Sequence, residues 1–205
     1  LLLDEPLGQL DAKVRNEIRY EIRRMAKDLK LTAIHVTHDQ AEAMSISDRI
    51  AVMKKGKIVQ IGTPQELYMH PKSLFVAHFI GESNFLEGYI TKANGKYSEI
   101  ELRAGVKVKA LNPDIKQGER IVLAIRPETC EMKKGHNSTE NGLCGKIEKI
   151  TFEGTIVRYE IRLENGDRLV INRPSLTEDW VDVGEDGTVT YPIEKAHIST
   201  YPEAG

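Results

Sequence analysis

The chain has 205 residues, with 29 Lys and Arg against 31 Asp and Glu, a formal net charge of −2 and 40% hydrophobic residues. That balance excludes the basic excess of a protein that coats nucleic acid, and the composition excludes wholesale disorder. The longest uninterrupted apolar run, Ile121 to Ile125, falls far short of the roughly twenty residues of a membrane-spanning helix.

Leu1 to Asp4 reads as a short buried strand delivering two acids, Asp4 and Glu5, at its carboxyl end. The chain opens inside this strand rather than on Met, which reads as a piece of a longer polypeptide. Asp11 is placed to cap a long helix, Ala12 to Lys30, on which Val14, Ile18, Ile22, Met25 and Leu29 draw one apolar stripe. Arg15, Arg19, Arg23 and Lys27 fall on other faces and read as solvated. Thr32 to Thr37, rich in β-branched residues, is a second strand, and Asp39 starts a helix through Ala43 and Met44. Arg49 to Met53 and Lys57 to Ile61 make a hairpin around Lys55-Gly56. Thr63-Pro64-Gln65-Glu66 orders a cap, a first-turn proline and an acid to open a helix, and a last helix spans Ser73 to Ile80. This alternation predicts a parallel sheet covered by helices.

Gly81-Glu82-Ser83-Asn84 is polar and reads as a hinge, dividing residues 1–82 from residues 83–205. Beyond it the hydrophobic period changes from 3.6 to 2. Eight strands are expected: Phe85 to Thr91, Ser98 to Leu102, Val106 to Ala110, Arg120 to Arg126, Gly145 to Thr151, Thr155 to Leu163, Arg168 to Asn172 and Gly187 to Pro192. Turn signals such as Asn94-Gly95, Asn112-Pro113 and Asn165-Gly166 separate them, which suggests a small barrel or sandwich. Lys133 to Asn141 reads as a mobile polar loop. No internal repeat is strong enough to use, although a division of the strand region into two similar halves is open. Cys130 and Cys144 form neither a CxxC pair nor a disulfide framework and read as reduced thiols.

The chemistry centres on Leu1-Leu2-Leu3-Asp4-Glu5-Pro6. Ligands of open α/β sheets bind at the carboxyl edge of the strands. An acid there suits Mg²⁺, which prefers oxygen donors and keeps several waters, and a second acid beside it can orient a water for attack on a phosphoryl group. The plain alternative is a surface Asp-Glu pair at an ordinary strand end. Val36-Thr37-His38-Asp39-Gln40 weighs against that alternative, because His38 also follows a strand, and parallel strands bring both ends to one edge.

These residues resemble an ABC-transporter ATPase of the importer type. Leu1 to Pro6 is similar to its Walker B strand, Leu7 to Asp11 to its D-loop, and His38 to the histidine of its H-loop. Asp48 to Met53, Gly56-Lys57-Ile58, Gly62 to Tyr68 and Phe75 to Gly81 match the remainder of that domain and its exit. The second half, with Ala124-Ile125-Arg126-Pro127-Glu128, resembles the accessory domain called TOBE. The resemblance implies an α/β remnant of a P-loop NTPase domain followed by an all-β barrel of the oligonucleotide-binding type. It implies that Asp4 helps to hold Mg²⁺ through water, that Glu5 polarises the attacking water, that His38 contacts the γ-phosphate of ATP, and that Asp11 reaches across a head-to-tail homodimer. It also implies transmembrane permease subunits and an extracytoplasmic solute-binding protein as partners, at the cytoplasmic face of a prokaryotic membrane. Gly8-Gln9 departs from the Ser followed by Asn or Ala that is frequent in the family, which puts in doubt any contact from a Ser side chain there.

Neither a G-x-x-x-x-G-K-[ST] phosphate loop nor a Leu-Ser-Gly-Gly-Gln signature occurs in these residues, so the chain by itself is expected to be inactive. Thr151 to Gly154 through Leu163 to Gly166 is similar to the accessory domain of spermidine/putrescine importers, with ferric-iron and sugar importers sharing the layout. The rival reading is a regulatory module whose β-domain binds a protein or a small anion. His35 and His38 fall on opposite faces of a strand, which argues against a metal pair; His70, His78, His136 and His197 read as surface or packing residues. Trp180, in the acidic stretch Glu178 to Asp186, reads as a loop anchor. Nucleic acid is not expected as a partner, because acids outnumber bases from residue 81 onward and no aromatic stripe is present.

Overall fold

The computed structural model describes residues 1–8, 10–111, 114–176 and 180–201. Gln9, the turn at Asn112-Pro113, and Glu178 of the acidic stretch lie outside the described residues. The chain divides into two compact units, Leu1–Gly81 and Glu82–Gly205.

In the first unit, β1 (Leu2–Asp4) pairs with β2 (Ile34–Val36) in parallel, Leu2 opposite Ile34 and Asp4 opposite Val36. Between them runs α1 (Ala12–Asp28), capped by Asp11, whose carboxylate accepts from the amides of Lys13 and Val14. Helix α2 (Gln40–Ile46) follows, then the antiparallel hairpin β3 (Ile50–Lys54) and β4 (Lys57–Gly62). Lys55 and Gly56 turn it with φ of 49° and 75°, the left-handed pair that a tight hairpin demands. Helix α3 (Pro64–Met69) carries the expected capping box of Thr63 and Glu66, and α4 (Leu74–Phe79) is capped by Ser73. The buried cluster is small: Val52, Leu67, Val76 and Ile80.

Helix α1 is where the sequence reading needs correction. Its apolar stripe is exposed, with Met25 at 49% and Leu29 at 67%, because the small core does not extend beneath it. The arginines expected in solvent instead stitch α1 to α2. Arg15 and Arg19 reach Asp39, Arg23 donates to the carbonyl of Ile46, and Lys27 lies 2.8 Å from Asp48. The Asp39 carboxylate at the start of α2 and the Ile46 carbonyl at its end draw these cations through charge and hydrogen bonding, not apolar burial.

The second unit holds two five-stranded sheets around one core. The first is built from β5 (Asn84–Asn94), β6 (Tyr97–Leu102), β7 (Lys107–Leu111) and β8 (Arg120–Ile125). The second is built from β10 (Leu143–Phe152), β11 (Ile156–Leu163), β12 (Arg168–Pro174) and β13 (Asp186–Thr190). The two remaining strands are exchanged. β9 (Glu131–Lys134) follows β8 in the chain but pairs with β13, and β14 (His197–Thr200) follows β13 but pairs with β8. The sheet orders are therefore β14-β8-β5-β6-β7 and β9-β13-β10-β11-β12, the same order twice. Leu86, Ile90, Ile100, Ile121, Leu123 and Ile125 meet Leu143, Ile147, Ile161, Leu169 and Ile171 in the shared core. This is the all-β second part the sequence led us to expect, with ten strands among the described residues in place of eight. β9 and β14 escaped because each buries a single apolar side chain, Met132 or Ile198, and so shows no alternation.

A short sequence motif underlies the symmetry. Asn84-x-Leu86-x-Gly88-x-Ile90-x-Lys92 recurs as Asn141-x-Leu143-x-Gly145-x-Ile147-x-Lys149. Both glycines permit close strand approach: an added Cβ would lie 2.7 Å from the Glu101 carbonyl oxygen or 2.5 Å from that of Arg162. Both strands then shift register at the same step, between Ile90 and Lys92 and between Ile147 and Lys149. Both asparagines are buried and cross to the far strand of the opposite sheet. Asn84 accepts from the Val170 amide at 2.7 Å and donates to its carbonyl at 2.8 Å. Asn141 does the same with Lys109, at 2.6 and 3.4 Å.

These contacts also bear on two loop expectations. Asn84 belongs to β5, Arg126 donates to the Glu82 carbonyl and the Ser83 hydroxyl at 2.9 Å each, and Arg158 grips the Glu82 carboxylate with both guanidinium nitrogens. Residues 82–84 are thus anchored in the second unit. The segment Lys133 to Asn141 begins in β9 and is pinned at Asn137 and Asn141. Asn84→Ala and Asn141→Ala each strand a buried amide and carbonyl, so each is expected to cost about 2 kcal/mol or more in denaturant unfolding of the second unit. A loss below about 0.5 kcal/mol, within the range of an ordinary surface substitution, would refute this.

Candidate functional site

The parallel register of β1 and β2 sets the site. Glu5 extends the ladder one residue past β1, its amide donating to the Val36 carbonyl at 2.9 Å. Its φ of 43° then turns the chain away from the sheet. A left-handed glutamate costs roughly 1 kcal/mol or more, and it directs the side chain along the sheet edge. His38 leaves β2 at the matching height, and its Nδ1 lies 2.8 Å from Glu5 Oε1. Both side chains are open to solvent, 52% and 76% exposed. The hydrogen bond to Glu5 and then its negative charge raise the His38 pKa, with smaller contributions from Asp39 and Glu42.

A polar platform beneath the pair holds β2 against α2. Asp39 caps α2 by accepting from the Glu42 amide at 2.9 Å, while its own amide donates to Thr37 Oγ1 at 3.0 Å. Arg15 and Arg19 reach Asp39 Oδ2 at 3.3 and 3.6 Å. The Glu42 amide first, then Arg19, the Ala41 amide and Arg15, hold the Asp39 carboxyl below its ordinary range against a modest burial penalty. Glu42 is buried, accepts from Thr37 Oγ1 at 3.0 Å, and contacts His35 Nε2. His35, within β2, therefore faces inward, while His38, two residues past the strand, is open to solvent.

The other expected site residues do not bond to this pair. Asp4 is exposed at the end of β1, and Asp11 is engaged as the α1 cap, accepting from Lys13 and Val14 at 3.0 Å each. Among the described residues, no hydrogen bond or ion pair joins Asp4 or Asp11 to Glu5 or His38. A depression of about 50 Å³ lies between Glu5, Gly8, Arg15 and His38. That holds a water or a phosphoryl oxygen and is far below the roughly 300 Å³ of a small-molecule pocket. Thr37, Asp39, Glu42, Arg15 and Arg19 were missed as supports of the site. The signal was present in Asp39-x-x-Glu42, a capping-box spacing, but here the Glu42 side chain turns to Thr37 and His35 instead of the cap amide.

Residues 123–198 match the family described as the TOBE domain. The spermidine/putrescine import ATP-binding protein PotA of Trichodesmium erythraeum is 41% identical over 183 residues, covering 85% of this chain and 48% of that protein. The Fe(3+) ions import ATP-binding protein FbpC of Fusobacterium nucleatum is 38% identical over 209 residues, covering 100% of this chain and 53% of that protein. The chain spans about half the length of the curated relatives it matches. Among solved structures, the cytoplasmic molybdate-binding protein ModG superposes with a TM-score of 0.52 at 14% identity, covering 58% of this chain and 96% of that one, a likeness of fold alone. Over most of its length the chain is thus similar to import ATP-binding proteins, with a TOBE match in its second unit.

The Glu5 contact favours the charged imidazolium. What it contributes to stability is complete below about pH 6.5 and fades as the pH rises through the raised His38 value. An NMR titration should place His38 above 6.5, and Glu5→Gln should lower its midpoint; an unchanged midpoint in Glu5→Gln would show that the contact does not persist in solution.

Proposed function

We propose that the protein carrying this chain is the ATP-hydrolysing subunit of an ABC importer, a peripheral protein at the cytoplasmic face of the membrane. The observation that carries this reading is the Glu5–His38 hydrogen bond at two adjacent parallel strand ends. Glu5 Oε1 takes the histidine, which leaves Oε2 to accept a proton from an attacking water. The imidazolium keeps its Nε2–H for a γ-phosphate oxygen, so charge-assisted hydrogen bonding links phosphate to general base. His38 thus both orients Glu5 and senses the phosphate.

The donor set at the strand end fits Mg²⁺: Asp4 and Glu5 offer hard carboxylate oxygens in an exposed setting. Asp4 would hold the ion through water, and the ion supplies charge neutralisation at the phosphates. The nucleotide needs more than these residues, because the depression is small and the sequence contains no glycine-rich phosphate loop. The exposed apolar face of β1 and β2, with Leu2 at 79% and Ile34 at 61%, is consistent with further strands and helices of a nucleotide-binding domain packing there. By itself the chain is expected not to turn over ATP. Asp11, at the start of α1, would contribute across a homodimer by exchanging its cap for the partner's site.

Permease subunits and a separate solute-binding protein complete the importer in this reading. The solute is proposed to be a polyamine, supported by the name of the 41% identical relative; the 38% identical ferric-iron relative marks the alternative. In the full-length subunit, Glu5→Gln should reduce ATP turnover at least about a hundredfold while leaving ATP-dependent dimerisation intact. His38→Ala should do likewise. Full turnover in Glu5→Gln would remove Glu5 from the mechanism, and a full-length protein with no ATP-dependent dimerisation would favour the regulatory module.

A further inference from the structure

A second cluster lies wholly in the second unit and is independent of the ATPase reading. One ligand atom each from His136, Cys144 and Glu164 lies within 4.8 Å of the others. They come from three segments: the turn after β9, strand β10, and the residue following β11. We propose that these three side chains form a binding site for Zn²⁺ or a similar borderline-soft divalent cation, with the fourth position open to water.

The donor set decides the class of ion. Imidazole, thiolate and carboxylate together suit Zn²⁺, whereas Mg²⁺ and Ca²⁺ require oxygen shells. Zn–N, Zn–O and Zn–S bonds of about 2.0 to 2.3 Å place tetrahedral ligands roughly 3.3 to 3.7 Å apart. His136 Nδ1 and Glu164 Oε1 are already 3.4 Å apart. The remaining contraction falls on the exposed His136 and Glu164 side chains, which are free to move toward the half-buried Cys144.

The surroundings hold these groups in place. The Glu164 amide donates to the Cys144 carbonyl at 3.0 Å, which fixes two of the three positions relative to each other. His136 is bracketed: the Gly135 amide donates to the Asp186 carbonyl at 2.8 Å, and the Asn137 amide donates to Thr188 Oγ1 at 2.8 Å. On its far side His136 Nε2 lies 3.6 Å from Asp186 Oδ2. At that separation the carboxylate is a near neighbour and not yet a hydrogen-bond partner; a small closure would give the outer support usual behind a ligating histidine, with Nε2–H on Asp186 and the Nδ1 lone pair left for the ion. The Thr188 hydroxyl donates its one proton to the Gly135 carbonyl at 2.7 Å, so in the contact with Cys144 Sγ at 3.4 Å the thiol is the donor. Metal binding breaks that S–H bond, forms the metal–sulfur bond, and releases the proton to solvent. The other cysteine offers no such chemistry: burial pushes Cys130 up to about 12.

The test uses metal-freed full chain, titrated with Zn²⁺ by calorimetry and with Co²⁺ by visible spectroscopy, with Mg²⁺ as comparison. One equivalent of Zn²⁺ should bind, Mg²⁺ should not compete, and Co²⁺ should give a tetrahedral spectrum with a thiolate charge-transfer band. His136→Ala, Glu164→Gln and Cys144→Ser should each weaken binding at least tenfold, and Asp186→Asn by about tenfold through loss of histidine orientation. His136 and Glu164 are exposed, so those variants should fold even if Cys144→Ser does not. No stoichiometric binding, a Co²⁺ spectrum lacking the thiolate band, or an affinity unmoved by His136→Ala and Glu164→Gln would overturn the site.

Discussion

The second unit depends on two buried side-chain amides. Asn84 and Asn141 each spend an acceptor and a donor on one residue of the opposite sheet, Val170 and Lys109. An amide is the side chain that satisfies a backbone N–H and C=O at once, so neither position has a simple apolar substitute. Strand exchange compounds the constraint. β9 and β14 each complete the sheet built by the other half, so neither half contains all five strands of a sheet. The twin Asn-x-Leu-x-Gly-x-Ile-x-Lys motifs then read as one solution used twice: an asparagine to cross, a glycine for close approach, and a register shift at the same step.

The candidate site rests on a different constraint, the register of a two-stranded parallel ladder. Moving β1 by one residue against β2 would carry Glu5 away from His38 and turn the side chains of β1 to the opposite face. The polar platform of Thr37, Asp39 and Glu42 holds the β2 side of this ladder by tying it to the start of α2. Chemistry and architecture therefore share residues: Thr37 donates to Glu42 and accepts from Asp39, and it lies one step from the histidine.

How much of this was legible in the sequence follows from what each feature buries. The Glu5–His38 meeting was readable because both residues end apolar strands, and parallel strands share an edge. The hairpin and the caps at Asp11 and Thr63 were readable from local turn and capping chemistry. The arginine–Asp39 network was not, because a helical wheel separates apolar from charged residues but does not say which charged face meets another helix. β9 and β14 were invisible for want of alternation. The internal repeat was hidden because only five of nine positions recur, and their shared role as crossing, approach and register residues emerges only in three dimensions. The His136, Cys144 and Glu164 cluster has no spacing that marks it in one dimension.

The ion pairs between α1 and α2 have a consequence for behaviour in solution. Where a helix is held to its neighbour by guanidinium and ammonium groups on Asp39 and Asp48, partly open to water, dissolved electrolyte competes with the attachment over a Debye length of about 8 Å at physiological ionic strength. The apolar core of the two sheets has no such sensitivity. Raising the salt concentration therefore loosens the attachment of α1 to α2, so that the strand edge beside Asp39 responds to the ionic composition of its surroundings.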